Sequence, residues 1–188
     1  MRCGDHFSER LGNVSVGLVS VQEHKRHART NLKIGVLTAS DTRTGDDDKS
    51  GQLIMQMCEA AGHRIEFYRI VRDDADTIAS AITVDLAALD AMIVTGGTGV
   101  APRDVTADVV KKLLTTELPG FGELFRMLSY QEIGSAALAS RAVAGMREGK
   151  FLAALPGSTG GCRLAMEKLI LPELGHLVDL ANPLANPK

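Results

Sequence analysis

From Lys33 onward the chain alternates between two apolar rhythms. Short apolar or β-prone runs at 34–38, 65–71 and 92–95 read as strands. Between them, Leu53, Ile54, Met57, Cys58 and Ala61 fall at helical spacing, closed by Gly62 as a C-cap, and Ile78, Ile82, Leu86 and Leu89 repeat the pattern. A third stripe places Val105, Val109, Val110, Leu113 and Leu114 on one face, and residues 118–130 place Phe121, Leu124, Phe125 and Leu128 on another. Residues 141–145 and 150–154 read as a strand pair joined at Glu148–Gly149. A last helix starts at Ser158 or Thr159, and Pro172 breaks or kinks it. Repeated β-α-β order predicts an α/β fold: a mostly parallel sheet in a three-layer α/β/α sandwich.

In such folds ligands bind beyond the carboxyl ends of the strands. Four polar turns fall at those ends: Ser40-Asp41, Asp73-Asp74, Gly96 to Asp104, and Pro156-Gly157-Ser158. The fold would gather them at one edge of the sheet. Gly96, Gly97, Thr98 and Gly99 are the most informative of these residues. Glycine lets the backbone approach a ligand closely, and N–H groups near the following helix start favour bound phosphate. The loop is neither of two common nucleotide fingerprints. Val100 follows Gly99 where a Walker loop needs Lys, and Pro102 stands where a dinucleotide motif needs its third glycine.

Composition narrows the function. The 188 residues suffice for one domain with a sizeable core. A net charge of -2 and only 4% aromatics disfavour a nucleic-acid partner, and no stretch is long and apolar enough to predict a membrane span. Three widely spaced cysteines (Cys3, Cys58, Cys162) indicate neither a disulfide framework nor a metal site, so a cytoplasmic location is expected. The five histidines form no metal spacing. Residues 1–30, with the polar, basic segment 22–30, read as a flexible N-terminal extension; 31–182 is the folded domain and 183–188 a tail.

Four ordered segments carry a resemblance: TASDTRTGDDDKSG (38–51), TGGTGVAPRDVT (95–106), PGFGELFRMLSYQEIGSAALASRAVAG (119–145) and LPGSTGGCRLAMEKLILPEL (155–174). Together they resemble the molybdenum cofactor biosynthesis protein B and molybdopterin adenylyltransferase family, to which the gephyrin G domain is related. The resemblance implies a three-layer α/β subunit that self-associates as a trimer or hexamer. It implies binding of molybdopterin and transfer of AMP from MgATP to the pterin's terminal phosphate, with release of pyrophosphate. Contacts with other molybdenum cofactor enzymes follow from the same likeness. The family's two key aspartates match Asp73 and Asp104. Its ligand-binding positions match Gly96, Gly97, Thr98, Gly99, Thr106, Ser140, Arg141, Pro156, Gly157 and Ser158, and Asp41 and Glu123 lie within its motifs. Ser158 stands where plant and animal relatives carry asparagine.

Those residue types suit the chemistry. Transfer between two anions needs positioning and charge neutralisation. Carboxylates such as Asp73 and Asp104 can hold Mg²⁺, which keeps several waters and bridges phosphate oxygens. Arg141 could fork onto a phosphate, and Thr98 or Ser158 could donate hydroxyl bonds. Each residue also has a plainer reading. Asp104 and Ser158 are placed to cap helices, Asp73 sits in a turn, Arg141 suits a salt bridge, and Glu123 suits a helix first turn or a subunit contact. Two functions stay open, an adenylyltransferase and a non-catalytic pterin-binding scaffold; the presence of Asp104 favours the enzyme.

Overall fold

The computed structural model describes residues 29–182. Six strands form one sheet in the order β2-β1-β3-β6-β5-β4. They are β1 (Lys33–Ala39), β2 (Arg64–Val71), β3 (Ala91–Thr95), β4 (Thr116–Glu117), β5 (Val143–Arg147) and β6 (Lys150–Leu155). β2, β1, β3 and β6 run parallel, while β5 is antiparallel to β6 and β4 to β5. The helices are α1 (Lys49–Ala60), α2 (Ala75–Asp85), α3 (Thr106–Leu113), α4 (Pro119–Ile133), α5 (Thr159–Ala165) and α6 (Leu174–Ala181).

The central strands are apolar throughout because both faces are covered. Ile34, Val36, Ile93, Phe151 and Ala153 pack with Ile54, Cys58, Phe125, Leu164 and Leu174, so α1, α4, α5 and α6 cover one face. Leu37, Met92, Val94, Leu152 and Ala154 point the other way, onto Ile78 and Ile82 of α2 and Val109 and Val110 of α3. This is the three-layer α/β/α arrangement the periodicity predicts.

Several boundaries and faces differ from expectation. The strand expected over 141–145 begins only at Val143, because Arg141 and Ala142 stay irregular after a 3-10 turn (Gly134–Ala139). Leu124, expected on the apolar face of its helix, is 46% exposed, while Phe125 beside it is buried. Ala61 is the C-cap of α1 and exposed; Gly62 follows in the left-handed region at φ +83°. The hairpin turn at Glu148–Gly149 has φ of +51° and +79°, the left-handed pair that a two-residue hairpin requires. After α5 the helical run continues through Met166–Ile170, and Pro172 separates it from α6. The expected N-terminal extension falls almost wholly outside the described residues. Arg29, at their start, bonds the Asp179 carboxylate at 2.7 Å.

Asp48 anchors the entry to α1. It is 0% exposed and its carboxylate accepts from the Gly51 amide at 3.1 Å, capping the helix. It also accepts from Thr38 Oγ1 (2.5 Å), Tyr68 Oη (2.8 Å), Ser50 Oγ (2.9 Å) and Arg43 Nη1 (3.1 Å). Burial pushes its pKa up, but the bonds from Thr38, Gly51, Tyr68 and Ser50 outweigh this and hold it below the usual carboxylate value. A depressed folded value means that Asp48 stabilises the fold above the unfolded carboxylate pKa. That contribution is lost as pH falls through the depressed value. Asp48→Ala would leave Arg43, Thr38 and Tyr68 without their common acceptor. It is expected to cost about 3 kcal/mol, read as a lower urea midpoint, and an unchanged midpoint would refute the assignment.

Candidate functional site

Because β2, β1, β3 and β6 are adjacent and parallel, their carboxyl ends meet at one edge. There a cavity of about 780 Å³ opens. Its floor and polar wall contain Ser40 and Asp41 after β1, Asp73 after β2, Gly96 to Gly99 and Asp104 after β3, and Pro156 to Ser158 after β6. All four turns singled out in the sequence therefore contribute to one cavity. Phe125, Ile133, Ala136, Ala137 and Leu164 give it an apolar wall opposite.

The glycine loop forms the floor. Gly96 and Gly97 have φ of +100° and +60°. A Cβ on Gly97 would collide with Thr106 Oγ1 and lie 2.7 Å from Asp73 Oδ1. Those two oxygens are buried and have no hydrogen-bond partner. Asp73 also has its pKa raised, first by burial, then by the charges of Asp104 and Asp41, against a smaller opposing effect of Arg103. The Asp73 amide donates to Asp41 Oδ1 at 3.2 Å, which ties the β1 and β2 turns together.

Asp104 does not cap the following helix, whose N-cap is Val105 without a side-chain bond. Instead Asp104 Oδ2 accepts from the Ala101 amide at 3.0 Å, and the Asp104 amide donates to Ala101 O at 2.8 Å. This closes the loop on itself and leaves the carboxylate beside the cavity. Ser158 does cap α5, accepting from the Gly161 amide at 3.3 Å, and also lines the cavity. Ser140 lines it as well.

Three expected site residues sit elsewhere. Thr106 lies beneath the floor at 0% exposure, with its hydroxyl toward Gly97. Glu123 and Arg141 line a second cavity of about 360 Å³ between α3, β4 and α4. The Arg141 guanidinium faces the loop: Nε donates to Gly99 O at 2.7 Å and Nη2 to Asp104 O, while Nη1 pairs with Asp108 at 2.7 Å. Its donors are thus engaged by two loop carbonyls and a carboxylate.

Sequence reasoning missed Arg43 and Arg103, which also line the main cavity. Arg43 bridges Asp48 and Ser50 to Gly157 O, the last at 2.7 Å. Asp48 carried a visible helix-start signal, an acid before Ser50-Gly51 and an apolar stripe. Arg43 had none, since Gly157 is its partner across most of the chain.

A parallel sheet edge with a glycine floor, clustered acids and an apolar wall defines an α/β protein whose cavity suits a charged, partly apolar small molecule. The model of the family described as "Probable molybdopterin binding domain" matches residues 35–176. Molybdenum cofactor biosynthesis protein B of Bacillus subtilis is 49% identical over 163 residues, spanning 85% of this chain and 96% of that protein. The same-named protein of Halalkalibacterium halodurans is 48% identical with the same coverage. A crystal structure of molybdenum cofactor biosynthesis protein B superposes with a TM-score of 0.80 at 46% identity, covering 84% of this chain and 99% of that one. The chain therefore belongs to the molybdenum cofactor biosynthesis family of molybdopterin-binding domains.

The donor set bears on a cation. Among the described residues no three His, Cys, Asp or Glu side chains converge on a metal position. Mg²⁺ needs no such cage, since one or two carboxylates with substrate phosphates suffice. The unpartnered Asp73 Oδ1 beside the cavity floor fits that requirement. Both described cysteines are free and buried, their thiols pushed up to about 12 (Cys58) and about 11 (Cys162), chiefly by burial, and neither suits nucleophilic chemistry. Among the described residues no helix is long and apolar enough to cross a membrane.

Proposed function

We propose that this protein binds molybdopterin in the main cavity and adenylylates its terminal phosphate with MgATP. A phosphate oxygen of the pterin attacks the α-phosphorus of ATP; the α–β phosphoanhydride bond breaks and pyrophosphate leaves. The observation that carries the reading is the meeting of the Gly96–Gly99 backbone with Asp73 and Asp104 in one cavity. The backbone positions the anions, and Asp73 and Asp104 would hold the Mg²⁺ that arrives with the nucleotide. Pro156, Gly157 and Ser158 extend the polar wall beside Gly96, Ser140 also lines the cavity, and the apolar wall suits a planar ring.

Incubating the purified protein with molybdopterin and MgATP tests this. Adenylylated pterin and one equivalent of pyrophosphate are expected. Pterin binding without pyrophosphate would overturn the transfer step in favour of a scaffold, and no pterin binding would overturn both.

We further propose that the chain self-associates. Five of the eight exposed large hydrophobics among the described residues (Leu124, Met127, Tyr130, Ile133 and Leu138) lie on α4 or the 3-10 turn after it. Apolar surface concentrated on one element marks an interaction site, and a second copy of this chain is the occupant proposed. Met127→Lys is expected to lower the sedimenting mass toward the monomer; a monomeric parent protein would refute the proposal.

A further inference from the structure

We propose that Arg141 is a positioning residue, which fixes the loop bearing Gly99 and Asp104 and ties it to the opposite wall of the cavity. The kinetic part of this rests on the adenylyl-transfer reading; the structural part does not.

The segment from Thr98 to Val105 has few other fastenings. Thr106 N donates to Gly97 O at 3.0 Å behind it, and the two Ala101–Asp104 bonds are internal to the loop. Arg141 supplies the outside anchors. Its backbone amide donates to Thr98 O at 2.9 Å, its Nε to Gly99 O at 2.7 Å and its Nη2 to Asp104 O. Three carbonyls along one loop are thus held from a single residue. The last two need a rigid planar donor, since a lysine ammonium on a flexible stem cannot span both at that geometry.

Arg141 directly follows Ser140, which lines the main cavity, and the 3-10 turn that supplies Ala136 and Ala137 to its apolar wall. The clamp therefore joins the wall suited to a ring to the loop that carries the acid. The fourth bond, to Asp108, joins groups 35% and 58% exposed and adds little to the hold.

The test compares Arg141→Ala, Arg141→Lys and Asp108→Asn. Amide hydrogen exchange of the unliganded proteins is read at Ala101, Asp104 and Thr106. At these positions exchange is expected to quicken at least ~10-fold in both Arg141 variants, with amides of β1 and β3 unchanged. Asp108→Asn should match the parent. In turnover assays kcat should fall ~10- to 100-fold with KM for MgATP little changed, as displacement of a catalytic group by about 1 Å produces. Added methylguanidine should restore part of the Arg141→Ala rate.

Unchanged loop exchange in Arg141→Ala would overturn the positioning role. A raised KM at constant kcat, or full rescue by lysine, would overturn it in favour of direct phosphate binding. If the parent itself shows no transfer, the adenylylation reading fails and the exchange result still decides the clamp.

Discussion

Gly97→Ala is expected to lower the stability of the protein by about 2–3 kcal/mol and weaken molybdopterin binding at least ~10-fold. Two independent costs combine. At φ +60° the left-handed backbone is strained for any side chain. The new methyl would also meet Thr106 Oγ1 and come within 2.7 Å of Asp73 Oδ1. Thr106 is completely buried and Asp73 is held to Asp41 through its amide, so neither retreats freely. Relief requires the floor to shift into the cavity, where it would displace a ligand. Gly97→Val should be worse on both counts. Thermal unfolding and a pterin fluorescence titration measure the two effects. Wild-type values in both would show that the loop is not the site.

Asp73→Asn should separate activity from stability. The folded state raises the pKa of Asp73, so near neutral pH the ionised carboxylate disfavours folding. The penalty disappears as pH drops through the raised value. A neutral amide removes the penalty at all pH values. The variant is expected to unfold at a higher temperature near pH 7, with the gain shrinking toward acid. Adenylyl transfer should meanwhile fall on the order of 10²–10³-fold if Asp73 helps hold Mg²⁺. Asp104→Ala should abolish transfer with pterin binding largely intact, because it removes a carboxylate and leaves the Gly97 floor in place. Full transfer by either variant would defeat its assignment, and a lowered unfolding temperature in Asp73→Asn would contradict the electrostatic account of that residue. Carboxylates kept at a cost to stability are a common mark of functional sites.

Much of the candidate site is legible in the sequence because β-α-β order itself places loops. Once 34–38, 65–71 and 92–95 read as strands of a mostly parallel sheet, the turns after them had to share an edge, and the structure adds the turn after 150–155 by pairing β6 parallel to β3. Asp41, Asp73 and Gly96 to Asp104 follow from that logic, and Pro156 to Ser158 from the added pairing. Ser158 caps its helix, as its plainer reading expects, and also lines the cavity. Leu124 illustrates the limit of periodicity: a helical stripe names a face, and the packing of Phe125 decides which part of it is covered.

By itself the amino-acid sequence determined the layer order of the fold, the glycine floor and the acids in the turns around it. The layers and the glycine turn depend on local rhythm and on backbone freedom, both of which are written in neighbouring residues, and the acids enter through the strand ends that carry them. Tertiary structure alone decided what the arginines do. Arg43 and Arg141 reach carbonyls that are 114 and 42 residues away in the chain. A long, flexible, five-donor side chain leaves no local trace of its partner. Only the folded chain, by bringing Gly157, Gly99 and Asp104 within reach, turns two ordinary cations into fastenings of the site.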